Sequence, residues 1–249
     1  MSAPVFLVAP AVLASPAPGS VLFLDGEEGR HAVTVRRLAV GEPVDLVDGL
    51  GRRATGSVVA VRGRDVLEVE VSSYADEPAP SPRLVVVQAL PKGERGETAV
   101  ETLTEVGVDE VVPWAAARCV AVWRGEKAGR GVEKWRRTAA EAGKQARRAR
   151  FPVVTELAST ADVVTRVRAA SLAVVLHESA SRALASVPVP ASGEVVLVVG
   201  PEGGLEQAEF SALADAGALA CRLGPSVLRT STAGTVAAAV VLASTGRWA

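Results

Sequence analysis

Leu172-Ala-Val-Val-Leu and Val195-Val-Leu-Val-Val are runs of five residues without a polar side chain. A strand with one face in water alternates apolar and polar residues, whereas a strand buried on both faces reads as a continuous apolar run. Leu84 to Leu90 is a third such run, broken only by Gln88, and Asp109 to Pro113 is a shorter strand. Helical stretches fall between and after them, at Gly93 to Val106, Gly131 to Arg150, Leu205 to Ala216 and Thr230 to Thr245. Buried strands alternating with helices predict an α/β domain, a parallel sheet covered on both faces.

Upstream the pattern differs. Val5 to Val8, Val21 to Leu24 and Pro43 to Val47 are short strand-like runs, the last leading into the turn pair Asp48-Gly49. Arg53 to Val61 and Asp65 to Val71 alternate around Arg62-Gly63 as a hairpin does, and one helix-like stretch, Glu27 to Leu38, interrupts the strands. Several short strands in about 70 residues predict a small barrel. Tyr74 to Pro82 carries three prolines and no apolar period, which marks a linker. The expected organisation is a β-barrel over 1–73, a linker over 74–82 and the α/β domain over 83–249.

Composition narrows the class. Of 249 residues, 49% are hydrophobic and 22% charged, which describes a folded core and excludes a disordered chain. Cys119 and Cys221 have no near partner in sequence, which fits a reduced cytoplasm and two small buried hydrophobes. His31 and His177 are far apart, so no metal site is expected. The apolar stretch Pro4 to Ser15 lacks preceding basic residues, and Ala233 to Ala243 is too short to span a bilayer, so neither export nor a membrane span is expected.

Charge is unevenly placed. Between Arg130 and Arg150, eight basic residues (Arg130, Lys134, Arg136, Arg137, Lys144, Arg147, Arg148 and Arg150) face only Glu133 and Glu141, a local +6 in a chain whose net charge is −1. Such a stripe is the electrostatic footprint of nucleic-acid binding, or else a solvated helix face.

In open α/β sheets ligands sit at the carboxyl ends of the strands. Three segments end a strand with suitable residues: Leu176, His177 and Glu178; Val199 to Gly204; and Cys221 to Thr230. In Gly200-Pro201-Glu202-Gly203-Gly204 the glycines let backbone approach a ligand and Pro201 stiffens the turn, although an ordinary tight turn has the same composition. No G-x-G-x-x-G, Walker A or G-x-S-x-G sequence occurs. His177 is either a packed, backbone-bonded residue or a base.

These segments, in this order, resemble the bacterial RsmE family of SPOUT-class methyltransferases. The resemblance is carried by His31-Ala-Val-Thr-Val-Arg-Arg-Leu, Pro91-Lys-Gly-Glu-Arg, Thr104-Glu-Val-Gly-Val and Glu141-Ala-Gly-Lys-Gln-Ala-Arg-Arg, and most specifically by Gly200-Pro-Glu-Gly-Gly with Leu223-Gly-Pro-Ser-Val-Leu-Arg-Thr. It implies a PUA-like RNA-binding barrel before a catalytic domain with a C-terminal trefoil knot, working as a cytoplasmic homodimer. It also implies S-adenosylmethionine as cofactor and N3 of a uridine in 16S rRNA of the small ribosomal subunit as acceptor. Carried over by position, the cofactor contacts are Leu176, His177, Glu178, Val199, Gly200, Pro201, Gly203, Gly204, Leu223, Gly224, Ser226 and Leu228. The RNA contacts are His31, Arg36, Arg37, Lys92, Arg95, Arg136, Lys144, Arg147 and Arg148. Three positions depart from the usual pattern: Ser231 where many members carry glutamate, Thr102 where lysine is common, and Ser226 where arginine is frequent.

Methyl transfer to N3 requires loss of a proton and stabilisation of the resulting anion. Arg229 is the leading catalytic candidate, because a guanidinium is a permanent cation with forked donors. Phosphate binding or an ion pair within a dimer is its other reading. Glu202 either accepts the proton or caps the following helix, where a carboxylate is favoured. Two rival functions share these features: a SPOUT ribose 2′-O-methyltransferase, which usually shows an asparagine-bearing first motif not found here, and a non-catalytic rRNA-binding assembly protein.

Overall fold

The computed structural model describes residues 3–248; Met1 and Ser2, which entered the export reading, and Ala249 lie outside them. In chain order the elements are β1 (Val5–Leu7), β2 (Val21–Leu24), α1 (Gly26–Arg30), β3 (Pro43–Val47), β4 (Arg52–Arg62), β5 (Val66–Asp76), β6 (Arg83–Ala89), α2 (Arg95–Val106), β7 (Glu110–Trp114), α3 (Glu126–Gln145), β8 (Val153–Val154), α4 (Thr160–Ala169), β9 (Leu172–Leu176), β10 (Glu194–Val199), α5 (Gln207–Asp215), β11 (Leu219–Cys221) and α6 (Thr230–Ala243). They group into two compact units: residues 3–79 with Gly143–Phe151, and Pro80–Ala142 with residues 152–248.

The first unit is a curled half-barrel with strand order β1-β3-β4-β5-β2. β1 pairs parallel with β3, and the remaining pairs are antiparallel. Inward-facing Val44, Leu46, Val58, Leu67 and Val69 form its core with Phe6 and Leu24. β5 runs to Asp76, three residues into the segment read as linker, because Tyr74, Ala75 and Asp76 pair with Ala54, Arg53 and Arg52. The helix expected from Glu27 to Leu38 is shorter: α1 passes into a π-helical turn at His31–Val35, and Arg37 is left-handed (φ 57°), which stops it.

Residues 143–151 pack with this unit, which a boundary at Ser73 does not anticipate. Ala149 and Phe151 join Val5, Leu7 and Val47 in a small apolar cluster. Gly51 N–H donates to Ala149 O (3.1 Å) and Phe151 N–H to Gly49 O (2.9 Å). The long basic helix therefore ends at Gln145 rather than Arg150, and left-handed Arg147 (φ 55°) turns the chain.

The second unit is a parallel sheet of order β11-β9-β10-β6-β7-β8. Its central strands are buried on both faces, as their unbroken apolar runs require. Leu84, Val86, Val195, Leu197 and Val199 face a core with α2, α3 and α6 residues such as Leu103, Trp135 and Ala237. Val85, Val87, Val196 and Val198 face the opposite core with Val163 and Val167 of α4 and Leu213 of α5. At roughly 1.5–3 kcal/mol per fully buried aliphatic side chain, these two layers dominate the unit's stability. α4 was not anticipated, although Ser159 and Asp162 form a capping box that signals it. Among the described residues, no helix is long and apolar enough to cross a membrane.

Candidate active site and cofactor cavity

The carboxyl ends of β9, β10 and β11 and the start of α6 enclose a cavity of about 500 Å³. All twelve positions assigned to cofactor contact line it: Leu176, His177, Glu178, Val199, Gly200, Pro201, Gly203, Gly204, Leu223, Gly224, Ser226 and Leu228. So do both catalytic candidates, Glu202 and Arg229. Leu205, Cys221, Arg222, Val227, Thr230 and Ala233 complete the lining. Cys221, Arg222, Val227 and Thr230 lie within the third strand-end segment, Leu205 directly follows Gly204, and Ala233 lies in the first turn of α6.

The glycines differ in what they permit. Gly204 is left-handed (φ 72°), and a Cβ at Gly204 or at Gly224 would meet nothing within 4 Å, so both backbones present open space beside the cavity. Gly203 is different: a Cβ there would stand 3.2 Å from Arg118 Cβ and 3.3 Å from its carbonyl oxygen. A side chain at 203 would thus press on the β7–α3 segment, a crowding the sequence did not reveal. Arg118 Nη1 also donates to Gly203 O (3.3 Å).

That segment is held by Glu209, a buried carboxylate in the first turn of α5. Glu209 Oε1 accepts from Ala117 N–H (2.9 Å) and Thr160 Oγ1 (3.0 Å), and its Oε2 from Glu206 N–H (3.3 Å). α5 begins at Gln207, two residues later than expected, so of the two roles open to Glu202 the cap falls instead to Glu206 and Glu209. Glu202 is engaged elsewhere. Its Oε1 accepts from Lys92 N–H (3.2 Å) and lies 3.5 Å from Arg95 Nη1. Lys92 and Arg95 therefore reach the glycine turn through Glu202, and both side chains remain exposed.

His177 is packed and backbone-bonded: Nδ1 accepts from Ser179 N–H (3.2 Å), and the ring meets Phe210 edge-on at 5.1 Å. Arg229 is exposed, stands at the N-cap of α6 in extended conformation, and its carbonyl accepts from Thr232 and Ala233 (2.8 and 2.9 Å). Burial pushes the Cys119 and Cys221 thiols above their ordinary range, which disfavours the reactive thiolate.

The expected RNA-binding residues are not equivalent. In the first unit, Arg36, Arg37 and Arg147 are exposed, and half-buried His31 meets Phe6 edge-on at 5.9 Å. The Lys144 side chain is only 10% exposed and pairs with Glu28 at 2.5 Å, so its charge is already matched inside the protein. Arg136 pairs with Glu156 and Glu133 (both 2.6 Å), which raise its pKa, and donates to Val154 O (3.1 Å). Arg148 is half-buried. The stripe is therefore partly internal scaffolding.

Residues 77–242 match the family of RNA methyltransferase domains, and residues 24–72 match the family of RNA methyltransferase PUA domains. The ribosomal RNA small subunit methyltransferase E of Mycobacterium tuberculosis (strain CDC 1551 / Oshkosh) is 47% identical over 237 residues, 94% of this chain and 90% of that protein. The chain belongs to the RsmE family. Its Bacillus subtilis (strain 168) counterpart of the same name is 31% identical over 219 residues, 84% of this chain and 85% of its own length. A Legionella pneumophila structure, solved in complex with the bound cofactor SAM, is 28% identical with a TM-score of 0.84, covering 98% of this chain and 99% of its own. RsmE membership makes this an S-adenosylmethionine-dependent RNA methyltransferase. Two of its departures from the RsmE pattern are accommodated locally: Thr102 Oγ1 lies 2.7 Å from Thr235 Oγ1 between α2 and α6, and Ser231 is buried in the first turn of α6.

Proposed function

We propose that the chain transfers a methyl group from S-adenosylmethionine to N3 of a uridine in 16S rRNA of the small ribosomal subunit. The observation that carries this reading is the cavity at the carboxyl ends of β9, β10 and β11, which gathers all twelve motif residues with Arg229 at its edge. Its volume, about 500 Å³, lies within the range of small-molecule sites. The open backbone at Gly204 and Gly224 is the cradle a flat or extended cofactor needs. Leu176, Val199, Leu223 and Leu228 supply apolar surface there, and Glu178, Glu202 and Ser226 supply polar contacts.

Bound there, the cofactor supplies an electrophilic methyl group on a sulfonium. The protein's own part is alignment and electrostatics. Arg229 presents permanent donors at the mouth, suited to the negative charge that develops on a uracil as its N3 proton departs. The first-turn N–H groups of α6 carry a partial positive charge at the same place. Arg95 and Lys92 hold Glu202, which keeps that carboxylate on the glycine turn.

The same reading assigns residues 1–73 to RNA binding and residues 83–249 to catalysis, with 74–82 between them. It also carries a cytoplasmic homodimer whose C-terminal segment is threaded as a trefoil knot. Family membership supports each of these. Mass spectrometry of 16S rRNA after incubation of undermethylated small subunits with protein and S-adenosylmethionine tests the activity. The expected product is one N3-methyluridine; a 2′-O-methyl product, or none, refutes the assignment.

A further inference from the structure

β6 carries one polar side chain among its buried positions, Gln88, with no exposed surface. Its Nε2 donates to Ala89 O (3.0 Å) and Thr230 O (3.4 Å), while Oε1 is buried without a hydrogen-bond partner among the described residues. An unpaired buried amide oxygen is destabilising, and an apolar side chain of the same size removes it. Stability alone therefore does not account for a glutamine in an otherwise apolar strand.

Its position does. Gln88 stands near the carboxyl end of β6, in register with the cavity-lining Val199 of β10. Its acceptor Thr230 is the first residue of α6, directly after Arg229. One turn further on, α6 comes down over the amide at Gly234. A Cβ there would lie 3.4 Å from Gln88 Oε1, 3.4 Å from Val199 Cγ2 and 3.3 Å from Leu103 Cδ2. The helix therefore passes close enough to the amide that a methyl group at 234 would just touch its oxygen.

We propose that Gln88 is a positioning residue: it anchors the first turn of α6 to the end of β6 and thereby sets where Arg229 stands at the cavity. The proposal rests on the methyltransferase reading above. Its hydrogen bonds go to Ala89 and Thr230, so the anchor acts on the acceptor side of the cavity rather than on the glycine turn.

Gln88→Met keeps the length of the side chain and removes the amide, and Gln88→Leu repeats the test should the first variant fail to fold. The melting temperature is expected to stay level or rise. Cofactor affinity stays within about threefold, while kcat at saturating cofactor and RNA falls by about ten- to a hundredfold, the penalty for a small misplacement of a reacting group. Amide exchange at Thr232 and Ala233, whose N–H groups donate to Arg229 O, becomes faster. A folded variant with wild-type kcat overturns the proposal, as does unchanged exchange at those two amides. A loss of activity that merely tracks a lower melting temperature also overturns it. Wild-type protein that transfers no methyl group refutes the functional reading instead, and the exchange measurement still decides the anchor.

Discussion

Glu209 gives the most quantitative test of how the glycine turn is held in place. Its three hydrogen bonds go to a charged acceptor, a class worth roughly 1.5–3 kcal/mol each. Ala117 and Glu206 are exposed, so water replaces their lost partner after truncation, and the lower end of that range applies. Glu209→Ala is therefore expected to cost about 4–5 kcal/mol. Glu209→Gln keeps the volume but turns one oxygen into a donor facing donors, and costs about 1–2 kcal/mol. At about 2–4 °C per kcal/mol for a protein of this size, the melting temperature falls by about 8–20 °C for alanine and about 2–8 °C for glutamine. Differential scanning calorimetry reads both. A functional consequence follows from chain order: Ala117 precedes Arg118, whose guanidinium binds Gly203 O, so losing Glu209 loosens the glycine turn as well. Calorimetric titration well below the transition should show weaker S-adenosylmethionine binding in Glu209→Ala. A melting temperature within about 2 °C of wild type for the alanine variant refutes the reasoning.

Gly224→Val places a side chain in the open space beside the cavity without a left-handed backbone to strain, and is expected to weaken cofactor binding by about ten- to a hundredfold at unchanged melting temperature. Gly203→Val presses on Arg118 instead, so its binding defect comes with a lower melting temperature; the same titration and melt on both variants separates the two. Arg229→Lys keeps charge but loses the planar fork, and lowers kcat by on the order of a hundredfold with RNA affinity unchanged in a filter-binding assay. Arg147→Ala reduces the slope of log RNA affinity against log salt by about one counterion, whereas Lys144→Ala leaves that slope alone and lowers stability, because Glu28 already holds its ammonium. Asp162 has its pKa lowered by hydrogen bonds from Ser159, first the hydroxyl and then the N–H. Its contribution to α4 is present above the unfolded aspartate range and lost as pH falls through the lower folded value; urea unfolding of wild type and Asp162→Asn should converge below about pH 4.

Much of the second unit was legible because burial on both faces leaves a mark on every residue of a strand. Leu172–Leu176 and Glu194–Val199 lie where their apolar runs stand, and the two glycine- and proline-bearing segments after β10 and β11 meet at one cavity. Helix ends were less legible. α3 stops at Gln145, short of Arg150, where residues from Gly143 to Phe151 become part of the first unit, which no local period encodes. α4 was missed although its capping box is written in Ser159 and Asp162, since its apolar face is narrow.

What sequence determined by itself was the layering of a parallel sheet, the strand-end loops that form a ligand site, and the family that uses them. All three depend on patterns within a few residues of one another. Tertiary structure alone decided what individual polar groups do. Glu209 and Ala117 are 92 residues apart, Lys144 and Glu28 are 116 apart, and Gln88 and Thr230 are 142 apart. Each pairing turned a plausible ligand contact or an ordinary core position into a brace, or an isolated polar residue into an anchor. A side chain's type fixes what it can donate or accept, but only the folded topology brings up the partner that uses it.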